Sequence, residues 1–299
     1  WSQMPERLGA DVGYRQAGIM YLARSEAEMQ QHEQWLASVR HLSLDSRLLN
    51  PSQINDMVPG GQGRWAGGIY TPSDGRAEPT LACSAIAQAA LKKGVLIVEN
   101  CAVRNLIMSA GRVSGVMTER GAIHCEQVLL AGGLWSRRFL GNLGVSLPTL
   151  PLVASVVRTA PLEGPADIAV GAPDFSFRKR LDGGFTITQR GALYAPLMLD
   201  SLLLGRQYLP MLRAQWKNVR ISLGRDFLSD LMLGRRWKGH QISPFERIRT
   251  MDPPTLPALN TEAMNNLIAA WPVFQHAIIK QAWGGMIDVT PDSLPVICK

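Results

Sequence analysis

Cysteine is scarce in this chain of 299 residues: four, at positions 83, 101, 125 and 298, with no CxxC pair among them. So few and so scattered, they exclude a disulfide framework and a structural zinc site, and they fit a reducing, cytoplasmic setting. The five histidines, at 32, 41, 124, 240 and 276, show no HxxxH or HExxH spacing, which leaves metal catalysis without ligands. No serine sits in a GxSxG elbow and no cysteine in a nucleophile context, so hydrolase chemistry is disfavoured. Long apolar runs are missing too. With no uninterrupted stretch of about 18 residues, the sequence offers no transmembrane segment. There is no initiator Met and no basic region leading into an apolar run. The chain stops at Pro295-Val296-Ile297-Cys298-Lys299, and residues 294–297 are strand-like with no turn residue beyond them; the expectation is an internal piece of a longer protein. What is present, 46% hydrophobic against 18% charged residues, is ample for a folded core and excludes disorder.

Positive charge is in excess by seven, with a pI near 9.5, and net charge alone would suggest nucleic acid. The distribution argues against it. Residues 206–249 hold ten Lys and Arg against three Asp and Glu, so this one segment carries the whole excess. Leu209, Leu212, Trp216, Val219, Leu223, Phe227 and Leu231 recur there at spacings of three and four. Arg213, Lys217, Arg220 and Arg225 fall between them. The pattern predicts one amphipathic helix, either a solvated helix over a sheet or a surface for an acidic partner or anionic lipid. Few aromatics are interleaved with the cations, which disfavours single-strand nucleic-acid binding.

Along the chain, alternation over 18–23 predicts a strand and the polar 26–39 a helix. Asn50-Pro51 is an N-cap followed by Pro at the first helical position, of a helix ending by Pro59-Gly60. A brief strand over 67–72, a turn over 73–76 and a helix from Pro79 follow; that helix carries a face of Leu81, Ala85, Ile86, Ala89 and Ala90, and Gly94 stands at its C-cap. The period then shifts toward two, predicting strands over 95–98, 102–108, 112–118, 122–125 and 127–130. A second sheet is predicted from strands over 150–159, 175–180 and 184–189. Residues 241–251 read as extended, 261–270 as helix and 278–289 as strand. The mixture favours two interleaved domains over one doubly wound sheet.

Two glycine clusters are candidate anion sites. Gln127-Val128-Leu129-Leu130-Ala131 runs into Gly132-Gly133 and then a helix over 134–143. Strand, small residues and helix are the geometry in which backbone N–H groups meet a phosphate, although Gly at a strand end is more often a plain turn. Gly61-Gln62-Gly63-Arg64-Trp65-Ala66 matches GxGxxA literally, but a helix precedes it and a strand follows, the reverse of what the dinucleotide fingerprint needs.

Three stretches in order resemble the D-amino-acid oxidase-like (DAO) family of FAD-dependent amine oxidoreductases, which includes glycine oxidase, sarcosine oxidase and opine oxidase subunits. The first is Val12-Gly13-Tyr14-Arg15-Gln16-Ala17-Gly18-Ile19-Met20-Tyr21-Leu22-Ala23. The second runs from Gly68-Ile69-Tyr70-Thr71-Pro72-Ser73-Asp74-Gly75 and Glu78-Pro79, through Val98-Glu99-Asn100-Cys101-Ala102-Val103, to Leu130-Ala131-Gly132-Gly133-Leu134-Trp135-Ser136. The third is Trp283-Gly284-Gly285-Met286-Ile287-Asp288-Val289-Thr290-Pro291-Asp292, with Pro295-Val296-Ile297 after it. The closest flavour is the opine or secondary-amine oxidase subunit type.

The resemblance implies a mixed α/β (α+β) fold, an incomplete Rossmann-like FAD-binding domain interleaved with an antiparallel-sheet substrate domain. Residues 1–65 would be linker and first part of the substrate domain, 66–147 part of the FAD-binding domain, 148–280 the substrate domain, and 281–299 a return to the FAD-binding domain. It implies FAD as cofactor: Val103 contacting the adenine through its backbone, and Ala131, Gly132 and Gly133 with Trp135 closing over the ADP half. Thr290-Pro291-Asp292 would run toward the isoalloxazine. The activity implied is oxidation of the C–N bond of an amino acid or opine-like secondary amine by hydride transfer to flavin. Relatives begin with a βαβ unit bearing GxGxxG and end in a Gly-rich flavin-contacting segment, and neither stands in this sequence, so weakened FAD binding is expected. Where several amino-acid oxidases place an Arg for the substrate carboxylate, this sequence has Ile287. Arg178, Arg190 or Arg249 would then hold the carboxylate, with Ile287 and Arg190 the expected pocket residues, or the substrate is not a simple amino acid. The alternative is a non-catalytic subunit or fragment of such an enzyme, acting through a partner subunit.

Overall fold

The computed structural model describes residues 1–216, 218–222 and 224–298. In chain order it contains α1 (Met4–Leu8), β1 (Ile19–Ala23), α2 (Glu26–Ser38), a 3₁₀ turn (Arg40–Leu42), β2 (Arg47–Leu49), α3 (Pro51–Met57), β3 (Gly67–Thr71) and α4 (Pro79–Lys92). Next come β4 (Val103–Ser109), β5 (Arg112–Thr118), β6 (Gly121–His124), α5 (Leu134–Asn142), β7 (Leu150–Thr159), β8 (Ala169–Gly171), β9 (Ser176–Lys179), β10 (Phe185–Thr188) and β11 (Leu193–Pro196). The last are α6 (Leu199–Gln215), β12 (Val219–Ser222), α7 (Arg225–Met232), α8 (Pro244–Arg247), α9 (Pro257–Ala270), a 3₁₀ turn (Pro272–His276) and β13 (Ile279–Val289). The chain divides into two compact units.

The first unit comprises Trp1–Ile97, Ser155–Ala192 and Pro254–Trp283. Its sheet runs in the order β2-β3-β1-β8-β9-β10-β7, antiparallel except where β1 lies parallel to β8. Alternation along these strands buries Met20, Leu22, Val157, Val170, Phe177, Phe185 and Ile187 on one face. Helix α9 covers that face because Leu259, Ala263, Leu267 and Ala270 recur at spacings of three and four and form a single buried stripe. Trp271 and Phe274 follow it into an aromatic cluster, Trp271 stacked on Trp65 at 5.9 Å and Phe274 edge-on to Phe185 at 5.1 Å. At the far side, α1 and α4 pack with Val12, Ala82 and Ala85. Asn50 and Gln53 form a capping box at α3, as the Asn-Pro signal predicts. The predicted α4 face is partly turned: Ala82, Ala85 and Ala89 are buried, whereas Leu81 and Ile86 are exposed.

The second unit comprises Val98–Ala154, Leu193–Pro253 and Gly284–Lys299. Here β4, β5 and β6 form an antiparallel three-stranded sheet. Residue Val153 of β7 pairs with Tyr194 of β11, which lies parallel to β12. β7 pairs β13 as well, and both strands have residues in each unit.

The structure corrects several expectations. Residues 209–231 are not one helix: α6 ends at Gln215, β12 occupies Val219–Ser222, and α7 starts at Arg225. Val219-Arg220-Ile221 alternates with β-branched residues and finds a strand partner in β11, which outweighs the weaker helical period. The buried stripe of α6 is Leu204 and Tyr208 with half-buried Met211 and Leu212, while Leu209, Trp216 and Leu231 are exposed. Lys217 and Leu223 lie outside the described residues. Residues 95–98, 127–130 and 294–297, predicted strands, carry no strand assignment and are exposed, Leu96 at 87%, Leu129 at 92% and Ile297 at 93%. Their apolar composition is that of buried strands, and a strand exists only where a neighbour supplies its hydrogen bonds. Residues 241–251 are not wholly extended: Ser243 and Glu246 close a capping box on α8. No helix among the described residues is long and apolar enough to cross a membrane.

Candidate functional site

The glycine turn of the second unit is open and free of side chains. Residues 131–133 are exposed, and Gly133, the N-cap of α5, has φ 53° and ψ −132°, a conformation in which a Cβ is strained. Gly132 donates its N–H to Ser136 Oγ at 3.1 Å. The N–H groups of Trp135 and Ser136 return to the carbonyls of Gly132 and Gly133 at 3.1 and 2.9 Å. The amides of Gly133 and Leu134 have no backbone acceptor among the described residues. Two free donors at a helix N-terminus, with nothing within 4 Å of a Cβ added at Gly133, fit the phosphate side of an ADP group.

The elements behind this turn tie it to β4. Trp135 and Phe139, one helical turn apart on α5, both pack on Phe245 of α8, at 5.2 and 6.2 Å between ring centres. Trp237 meets the same ring edge-on at 5.3 Å and donates its indole N–H to the Arg104 carbonyl at 2.7 Å. Next to Phe245, Glu246 accepts two hydrogen bonds from Arg104, 2.9 Å from Nε and 2.7 Å from Nη2. It also accepts from the N–H and Oγ of Ser243 at 2.8 and 2.9 Å. These donors, Arg104 first, hold the Glu246 carboxyl down at about 2. Val103, half open at the head of β4, and the 131–135 turn are therefore held through one aromatic and ionic cluster. Phe245 and Glu246 escape sequence reasoning because 241–251 reads as extended; the S-x-x-E spacing of Ser243 and Glu246, with Pro244 at the first helical position, is the signal for them.

The three candidate carboxylate-binding arginines differ sharply. Arg178 contacts Glu78 at 3.2 Å. Arg249 makes a bidentate pair with Glu119, 2.8 Å on each arm; that pair, with the Ala102 N–H, holds Glu119 at about 2. Arg190 has no carboxylate partner among the described residues. Its guanidinium lies 4.6 Å above the Tyr21 ring, with one 3.5 Å contact to the Ala172 carbonyl. Gly171 makes this possible: a Cβ there would sit 2.8 Å from Tyr21 Cδ1 and collide with the Arg190 guanidinium. His32 is close enough to Arg190 to feel its charge, and burial first, then that charge, push its pKa down. Ile287, on β13 of the second unit, is half exposed.

The GxGxxA stretch lies in the reverse of the dinucleotide-fingerprint context. It follows α3 and precedes β3, and its glycines admit indoles: a Cβ at Gly61 would lie 3.0 Å from Trp271 Nε1, and one at Gly63 2.8 Å from Trp65 Cε2.

A mixed main sheet, a small antiparallel sheet and an open glycine turn at the start of α5 make this a mixed α/β fold. The chain belongs to the DAO family of FAD dependent oxidoreductases, whose model matches residues 1–299. Among solved structures it superposes on the L-amino acid deaminase from Proteus myxofaciens in complex with anthranilate with a TM-score of 0.94 at 29% identity, over 99% of this chain and 68% of that one. For the L-amino acid deaminase from Proteus vulgaris the TM-score is 0.93 at 29% identity, over 99% and 70%. In sequence it is 24% identical to sarcosine oxidase subunit beta of Arthrobacter sp over 100% of this chain, and it spans 62% of that relative.

Proposed function

We propose that the protein oxidises the C–N bond of an amino acid or an opine-like secondary amine, with Arg190 receiving the substrate carboxylate. The observation that carries this is the contrast among the arginines: Arg178 and Arg249 are neutralised by Glu78 and Glu119, while Arg190 is not. A planar guanidinium stacked on a ring keeps its outer N–H edge free for bidentate recognition of a carboxylate. On the cofactor side, Val103, Ala131, Gly132 and Gly133 with Trp135 are the residues that would hold the adenine and diphosphate of FAD. The chemistry FAD supplies when bound is acceptance of a hydride from the C–H beside nitrogen. This chain's residues bind and orient the substrate in its neutral-amine form, and water hydrolyses the resulting imine.

The test is anaerobic addition of candidate amino acids and secondary amines to the full-length, FAD-loaded protein, followed by flavin absorbance. Bleaching by a carboxylated amine is expected. In Arg190→Gln, loss of a charged hydrogen-bond pair of about 1.5–3 kcal/mol lowers kcat/KM by about 10–150-fold, chiefly through KM. If no amine bleaches the flavin, the catalytic reading fails. A protein that stays colourless after FAD addition favours the other reading, a non-catalytic subunit, which gains support from the Arthrobacter relative's being a subunit.

A further inference from the structure

The second unit contains a basic pocket that shares no residue with the glycine turn. Four arginines line it: Arg137 and Arg138 from α5, and Arg235 and Arg236 from the segment after α7. Gly141, Gly144, Val145 and Ser146 form a wall without bulky side chains, and Asp200, in the first turn of α6, is the one acid among the described residues that lines it.

The carboxylates in reach are already shared out. Asp200 accepts from Arg137 and Arg235, each at 2.7 Å. Asp230 is paired with Arg138 and, at 3.4 Å, with Arg235. Asp288 is the remaining acid near Arg137, and burial pushes its pKa up. Among the described residues Arg236 holds only the Asn142 carbonyl, at 2.7 Å. Arg137 is hydrogen-bonded to the Leu147 carbonyl, yet its Nε is buried with no partner among the described residues. Arginine keeps its charge at any physiological pH, so among the described residues four positive charges face three carboxylates and a cationic excess remains in the pocket.

We propose that this pocket binds the phosphoryl group of a small phosphorylated molecule. A phosphate carries a charge of about −1.5 to −2 at neutral pH and presents several acceptor oxygens, which suits guanidinium groups arriving from two separate segments. The volume, about 270 Å³, is at the lower bound of small-molecule sites, so the ligand is a phosphate with a small attached group and not a dinucleotide. The proposal is independent of the amine oxidation argued above.

The experiment is calorimetric titration of the full-length protein with inorganic phosphate in low-chloride buffer, alongside succinate as a carboxylate dianion of similar charge. Saturable phosphate binding is expected, with affinity reduced at least about tenfold in Arg235→Gln/Arg236→Gln, since each charged hydrogen bond is worth that much or more. Arg236→Gln alone keeps the test decisive if the double variant fails to fold, because Arg236 is exposed and among the described residues holds a single carbonyl; a loss of about tenfold is expected. Arg112→Gln, at an exposed position on β5, leaves the affinity unchanged. No phosphate binding by the unaltered protein, equal binding by the pocket variants, or succinate binding as tightly as phosphate would overturn the assignment.

Discussion

Glu246 gathers four donors, from Arg104 and Ser243, on one carboxylate. Its side chain and that of Arg104 are 9% and 16% exposed, so removing the acid's charge strands a guanidinium with little water to replace it. Glu246→Gln is expected to cost roughly 3 kcal/mol, the scale for breaking a largely buried pair from one side, read as a shift in the urea midpoint. The pH dependence has a definite sign. The folded value of about 2 lies below the usual 4.5, so the stabilisation is complete above about 4.5 and is lost as pH falls toward about 2. Glu119, also held at about 2 by Arg249, adds to the same acid limb. A stability profile across that window that is as steep in Glu246→Gln as in the parent would contradict this assignment. Gly171 acts on the other unit by what it omits. Gly171→Ala places a methyl against Tyr21 and the Arg190 guanidinium, so KM for a carboxylated substrate is expected to rise by about tenfold or more. Circular dichroism identical to the parent, with KM also identical, would show that the stacked Arg190 does not bind substrate.

At the scale of elements, α5 presents the glycine turn and Phe245 of α8 fixes α5. Phe245 is gripped by Trp135, Phe139 and Trp237, so Phe245→Ala removes ring contacts from both ends of the connection. A loss of about 3 kcal/mol is expected, together with weaker FAD binding, measured as the free FAD concentration needed to restore the visible spectrum. Retained affinity in a destabilised variant would mean that α8 braces the unit without setting the turn. How far these elements are legible in sequence follows from what each depends on. The capped helix at Asn50-Pro51 and the hairpin strands β9 and β10 are readable because cap, turn residue and period all lie within a few positions. Helix α8 is only four residues long, too short for any period, and only its S-x-x-E spacing marks it. The division of 209–231 into α6, β12 and α7 depends on β11, a partner some two dozen residues away, which no local window contains. The glycine turn is visible in sequence as small residues ahead of a helix, although the strand expected before it carries no strand assignment, and Arg190's lack of an acid partner is visible only once Glu78 and Glu119 are seen beside Arg178 and Arg249.

At the scale of the whole molecule, the apolar composition of residues 95–98, 127–130 and 294–297 and their exposure pull in opposite directions. Val95, Leu96, Ile97 and Val98 are 50%, 87%, 45% and 51% exposed, and Leu129 and Ile297 exceed 90%. Segments of this kind have high β-propensity and no charge between their apolar side chains, and their backbone N–H and C=O groups are unpaired by any strand among the described residues. An exposed apolar segment with unpaired backbone groups is a template for pairing with another chain. The 299-residue chain, which spans 62% of its Arthrobacter relative, is therefore expected to self-associate when prepared alone. Light scattering should rise with concentration, and Leu96→Lys with Leu129→Lys should suppress it, since charge on such a segment opposes edge pairing. Both positions are outside the buried cores, so the double variant should melt within about 0.5 kcal/mol of the parent, as surface changes do. A monodisperse parent chain at high concentration would show that these segments are covered within the chain itself.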